Sequence, residues 1–212
     1  MITLGLDTCL SACSAAVLED GRVLSAQVEP MARGHQERLA PLVQKIMAQA
    51  GLAFDQLDRI GVTVGPGSFT GLRVGLAFAK GLGAALDAPV VGIGALEALA
   101  ASRPLGLVFA VIDAKRGQVY LQAFRDGEAL MAPDALALET AAARLAEFHD
   151  GGPVTLIGSG AALLAPGLAG AELVEAEGCD PAVVARLAGT RAPTPPRPLY
   201  LRAPDARLPG AA

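Results

Sequence analysis

The sequence predicts an α/β protein in which one supersecondary unit occurs twice, giving two lobes with a cleft between them. Three observations predict it. Features recur at a constant offset of 106 residues, pairing Asp7 with Asp113, Asp20-Gly21 with Asp126-Gly127, and Leu24 with Leu130. Each copy reads as an apolar strand ending at Asp, a turn, a second strand, an Asp-Gly turn and a third strand. Asp-Gly favours tight hairpin turns, and the flanking Val, Leu, Ile and Tyr suit strands. Each meander is then followed by a helical pattern, a short strand and a glycine turn. The halves divide as 1–103 and 104–212.

The elements follow in order. After the first meander, Leu39, Leu42, Val43, Ile46, Met47 and Ala50 fall on one helical face, and Gly51 ends the helix. His35 stands at its start, where a solvated capping position is expected rather than a catalytic one. A β-branched run at Ile60, Val62 and Val64 leads into Gly65-Pro-Gly-Ser-Phe-Thr-Gly-Leu-Arg-Val-Gly75, and a helix over 72–86 follows. Ser68 or Thr70 can cap it. In the second half, an Ala- and Leu-rich helix over 138–148 precedes a strand over 154–158 and the turn Gly158-Ser159-Gly160.

A strand, a glycine turn and a helix start together present free N–H groups to an anion or to another chain. The usual nucleotide and hydrolase motifs are nevertheless not met. A Walker loop lacks its Gly-Lys-Ser/Thr ending. A hydrolase elbow at Ser68 finds Pro66 and Thr70 where glycines belong. A dinucleotide fingerprint has its third glycine one residue late, and the next strand, over 90–93, ends at Gly94 rather than at an acid.

The string at 65–75 instead resembles the hallmark of the TsaB (YeaZ) family. Gly5-Leu6-Asp7-Thr8 with Ser14-Ala15-Ala16-Val17 resembles its opening hairpin. Val111-Ile112-Asp113-Ala114 with Val119-Tyr120 resembles its central one, and Pro198–Ala206 its closing segment. Gln118 departs from the pattern, which commonly has an acid there. The resemblance implies the actin-like, sugar-kinase and Hsp70 ATPase architecture. It also implies a non-catalytic subunit that binds and supports TsaD in transferring a threonylcarbamoyl group to a tRNA adenosine. The implied partners are TsaD, the ATPase TsaE, tRNA through the assembly, and a second copy when the chain is alone. No cofactor is required, with ATP or ADP as ligands of the assembled complex. In that architecture Asp7, Thr8 and Asp113 would face a nucleotide's phosphates, and Gly158, Ser159 and Gly160 would pack near its adenosine. The plainer reading keeps both Asp residues as turn formers.

Composition bounds these readings. The chain has 212 residues, 52% of them hydrophobic, and a net charge of −4, which argues against gripping nucleic acid unaided. The basic tail (Arg191, Arg197, Arg202, Arg207) is broken by prolines. Charged residues and Pro89 interrupt the richest apolar region, and the N-terminus carries no basic lead-in, so a soluble cytoplasmic protein is expected. Three cysteines, Cys9, Cys13 and Cys179, read as reduced thiols rather than a zinc site. Two histidines, His35 and His149, supply no metal pair, and no Ser-His-Asp or Cys-His arrangement can be assembled. The rival reading is a small-molecule kinase or ATPase of the same fold, which should show a catalytic acid and metal-binding carboxylates.

The helix over 72–86 is apolar all round and carries a small-residue stripe at Gly71, Gly75, Ala79 and Gly83. Such a helix is covered on both sides, either wholly within one chain or partly by a partner. The resemblance favours a partner, packed in a helical bundle with the first-lobe helices. Leu39, Leu42, Ile46, Gly71, Gly75, Ala79 and Gly83 are its expected contacts.

Overall fold

A computed structural model of the protein describes residues 1–168 and 170–202. The end of the closing segment (203–206) and Arg207 lie outside the described residues.

The first sheet contains β1 (Ile2–Asp7), β2 (Ala12–Glu19), β3 (Arg22–Pro30), β4 (Arg59–Thr63) and β5 (Val90–Ile93), in the order β3-β2-β1-β4-β5. The first three strands are antiparallel neighbours, while β4 and β5 run parallel to β1. The second sheet contains β6 (Leu107–Lys115), β7 (Gln118–Arg125), β8 (Glu128–Ala129), β9 (Asp134–Ala137), β10 (Val154–Ile157) and β11 (Glu172–Val174). Its order, β8-β7-β6-β10-β11, repeats the first with the same strand directions, and β9 adds to β7.

The twofold pattern therefore holds down to backbone conformation. Asp20 and Gly21 have φ of 47° and 83°, and Asp126 and Gly127 have φ of 51° and 84°. Both pairs are left-handed, as a two-residue turn between right-twisted strands requires.

Helices α1 (His35–Ala50) and α2 (Phe69–Leu86) cover one face of the first sheet. Strand alternation sends Leu4, Leu6, Ile60 and Val62 towards them. The intervening Gly5 and Gly61 face the other way, onto α6 (Pro181–Thr190). A Cβ on Gly5 would lie 2.1 Å from the Pro181 carbonyl oxygen, and one on Gly61 2.6 Å from Ala188 Cβ. Glycine lets α6 lie directly on the sheet.

In the second lobe, α4 (Leu138–Phe148) and α5 (Ala161–Leu164) pack on Leu107, Phe109 and Val111. On the opposite face, α3 (Ala95–Ala100) joins Val108, Ala110 and Ile112 to the core of the first lobe.

The first sheet is built from residues 2–93 and the second from residues 107–174, and later residues return to the first sheet. Although α6 comes from the second half of the sequence, it buries Val184, Ala185 and Ala188 against the first sheet. The tail also returns to the first lobe. Leu199 N–H donates to the Val64 carbonyl at 2.8 Å, and Tyr200 stacks on Phe69 with ring centroids 5.3 Å apart.

Candidate functional site

Asp7 ends β1, where the chain turns into β2, and it is wholly buried. Its Oδ1 accepts from Cys9 N–H at 2.9 Å and from the Thr63 hydroxyl at 2.6 Å, and its Oδ2 accepts from Cys179 N–H at 2.8 Å. Burial drives its carboxyl above the usual carboxylate range, opposed by Thr63 and by the two amides. Thr8 is equally buried, and its hydroxyl donates to the Gly71 carbonyl at 2.7 Å.

The glycine string explains this closure. Ser68 N–H donates to the Cys9 carbonyl at 2.7 Å, and Ser68 Oγ caps α2 by accepting from Gly71 N–H. Cβ atoms on Gly67 and Gly71 would stand 2.2 Å from the Cys9 carbonyl oxygen and 2.0 Å from that of Thr8. One on Gly75 would stand 2.5 Å from Thr8 Oγ1. The glycines seat the first turns of α2 on the turn after β1.

A cleft of about 640 Å³ opens between the lobes, lined by Ser11, Ser68, Phe69, Asp113, Lys115 and Ser159 among others. Asp113 is the sequence equivalent of Asp7 but a different electrostatic object. Partial burial pushes its carboxyl up, yet the Lys115 ammonium at 2.7 Å and the Lys115 amide hold it below its ordinary value. Ser159 Oγ accepts from Asp113 N–H at 3.2 Å. Gly158 and Gly160 pack on β6, with Cβ positions 2.3 Å from the Val111 carbonyl oxygen and 2.8 Å from Val111 Cγ1.

These observations correct several expectations. Asp7 and Thr8 do not line the cleft, because their polar groups are spent on the chain itself. The first-lobe turn reaches the cleft through Cys9, Leu10 and Ser11 rather than through Asp7 and Thr8, and Asp113 and Ser159 reach it from the second lobe. Gly158 and Gly160 serve close packing against β6.

The interface assignments fail for a different reason. Leu39, Leu42, Ile46, Gly71, Gly75, Ala79 and Gly83 are all buried within the single chain. The stripe on α2 faces Thr8, Val62 and Val90. The exposed positions of α2 are Phe69, Thr70, Arg73, Ala77, Lys80, Gly81, Ala84 and Ala85, with Val74, Phe78, Leu82 and Leu86 half-exposed. Ala77 and Gly81 supply a second small-residue surface that sequence periodicity leaves unresolved. His35 is also not solvated: it is 7% exposed, its Nε2 has no partner, and Gly34 caps the helix.

The three cysteines are free and buried. Burial pushes the thiols of Cys9 and Cys179 up, and that of Cys13 up to about 11. Among the described residues, no group of three or more His, Cys, Asp and Glu side chains is placed to hold a metal. No described helix is long and apolar enough to cross a membrane.

A duplicated three-strand meander with two parallel strands appended, helices on both faces and a cleft between the lobes defines a protein of the actin-like, sugar-kinase and Hsp70 ATPase class. The component A of (R)-2-hydroxyglutaryl-CoA dehydratase from Acidaminococcus fermentans shares this fold. The likeness has a TM-score of 0.54 at 13% identity, over 89% of this chain and 97% of that one.

The family is settled by nearer relatives. Residues 24–155 match the family model of TsaD, tRNA N6-adenosine threonylcarbamoyltransferase. The crystal structure of YeaZ from Pseudomonas aeruginosa matches with a TM-score of 0.77 and 31% identity, over 89% of this chain and 90% of that one. The chain belongs to the TsaB (YeaZ) family. An uncharacterised protein of Mycobacterium tuberculosis is 37% identical over 210 residues, 96% of this chain and 93% of its own length. The tRNA threonylcarbamoyladenosine biosynthesis protein TsaB of Escherichia coli is 37% identical over 132 residues, 60% of this chain and 57% of its own length.

Proposed function

We propose that this protein works in tRNA threonylcarbamoyladenosine biosynthesis as a cytoplasmic subunit that performs no chemistry itself. In this reading it binds and supports the catalytic subunit TsaD. TsaE and tRNA join through the assembly, no cofactor is required, ATP or ADP is a ligand of the assembled complex, and the lone chain pairs with a second copy. Family membership supports the pathway. One observation supports the non-catalytic role: Asp7, at the first-lobe position that meets phosphate in kinases of this fold, is buried and bonded internally, as is Thr8.

The docking face is the outer side of α1 and α2, carrying Ala77, Gly81 and the half-exposed Val74 and Phe78. Small side chains let a second helix approach closely. A buried unpaired carboxylate there costs several kcal/mol, a loss of orders of magnitude in affinity. Pull-down of TsaD by the Ala77→Glu variant is the test. A folded variant that no longer retains TsaD supports the reading, and undiminished retention by Ala77→Glu and Gly81→Glu alike refutes this face. ATP or sugar-kinase turnover that disappears in Asp113→Ala would instead favour the kinase reading, since Asp113 does reach the cleft.

A further inference from the structure

The chain passes between the lobes through α3, which joins β5 to β6, and through residues 175–180, which join β11 to α6. Both passages are anchored in the core. Leu96 and Leu99 are buried, Cys179 N–H donates to Asp7, and the Cys179 carbonyl accepts from the Ser14 hydroxyl at 3.3 Å. Residues 198–202 make a further link of a different kind, running without helix or strand.

On the first lobe this segment lies against the glycine loop. Leu199 N–H bonds to the Val64 carbonyl, and a Cβ on Gly65 would stand 2.9 Å from the Leu199 carbonyl oxygen. The Tyr200 ring stacks on Phe69, and its hydroxyl accepts from Arg73 Nε at 3.3 Å. The Arg73 guanidinium in turn lies 3.5 Å from the Phe69 ring centroid. Two residues after Tyr200, Arg202 Nη1 donates to the Ala114 carbonyl at 2.8 Å. Ala114 is near the end of β6, in the second lobe. Phe69, Ala114 and Arg202 all line the interlobe cleft, so the link is made at the cleft itself.

The two kinds of link differ in what parting them costs. Phe69 and Tyr200 are 39% and 42% exposed, Arg73 is exposed, and Arg202 is half-buried. Hydrogen bonds open to water are exchanged for bonds to water at small net cost. Exposed segments with few apolar contacts open locally before the fold does. Parting α3 or Cys179 would instead expose buried leucines and strip the Asp7 carboxylate of an amide. Closure of two-lobed proteins turns on a few such joining residues.

We propose that residues 198–202 are a releasable strap that sets how far the lobes part, with α3 and residues 175–180 as the hinge. Closed, Tyr200 and Arg202 tie α2 to the end of β6. Released, the strap leaves the Ala114 carbonyl to water and the cleft widens.

The test places nitroxide labels on the full-length protein at Ser11→Cys and Ser159→Cys, two exposed cleft positions on opposite lobes. The native cysteines are buried. Electron paramagnetic resonance then gives the distance between the labels. Arg202→Ala and Tyr200→Ala should each shift the distribution to longer distances, while Arg202→Lys, which keeps a donor, should retain the wild-type one. Hydrogen exchange is an independent readout. The Leu199 amide should exchange faster than the Val184 amide of α6. In Arg202→Ala it should exchange about tenfold faster again, as fits loss of a charge-assisted bond. Distances unchanged in both alanine variants, or a Leu199 amide as slow as that of Val184, would overturn the proposal. So would loss of the folded state in Arg202→Ala, which would make the segment a structural brace.

Discussion

The Thr63 hydroxyl donates to Asp7 Oδ1 at 2.6 Å, joining the ends of two neighbouring parallel strands at a point closed to solvent. Thr63→Val keeps the side-chain shape but leaves that carboxylate oxygen with the Cys9 amide alone. The expected loss is about 1–3 kcal/mol. It should depend on pH. Burial raises the folded pKa of Asp7, so folding is strengthened as pH falls from that raised value towards the unfolded one. Thr63 favours the charged form, so its contribution is full above the raised value and shrinks as Asp7 protonates. Thermal unfolding of both proteins from neutral pH downward should show the gap between them narrowing; a constant gap would contradict this account.

Asp113→Asn should behave differently, although the two Asp residues occupy repeated positions. Asp113 sits at the cleft, with its carboxylate facing the exposed Lys115. Such partly solvated pairs contribute about 0–1 kcal/mol. Chemical denaturation should give a loss within that range, well below that of Asp7→Ala, which strands two buried amide donors.

Gly71→Ala and Gly81→Ala lie on one helix and should act in opposite directions. A methyl at 71 meets the Thr8 carbonyl oxygen at 2.0 Å, and the backbone there cannot yield, so a loss of about 3 kcal/mol or more is expected. A methyl at 81 meets nothing within 4 Å and should stabilise the lone chain by about 0.5–1 kcal/mol through helix propensity. Ala79→Glu joins the first class, because Ala79 is fully buried in the chain. Melting temperatures of the three variants decide the matter.

The contrast between Gly71 and Gly81 marks the limit of what the sequence discloses. The duplicated meander was legible because Asp-Gly turns and alternating strands are local signals, and both turns have the expected backbone. The boundaries of α1 and α4 were legible from apolar spacing. The facing of α2 was not, since an all-round apolar helix has no periodicity to orient it. Nor was the environment of Asp7, whose third donor, Cys179, is 172 residues away in sequence. The buried His35 was missed for a related reason: a lone polar residue at a helix start gives no hint of what lies above it.

The cysteines give a chemical check. Their raised thiols and complete burial predict slow alkylation of the native protein at mildly alkaline pH, with all three labelling promptly in denaturant. Rapid modification of Cys9 or Cys179 in the folded protein would show that the packing around Asp7 opens readily.

The return of α6 to the first sheet bears on synthesis at the ribosome. A chain emerging N-terminus first presents β1 to β5 long before residues 181–190 exist. Until then Gly5 and Gly61 face an uncovered sheet surface. The first lobe therefore cannot finish folding while the second is being made, and a nascent chain of about 180 residues is the species most exposed to chaperones and to aggregation. For the same reason, a fragment cut at residue 103 lacks the helix that covers Gly5 and Gly61.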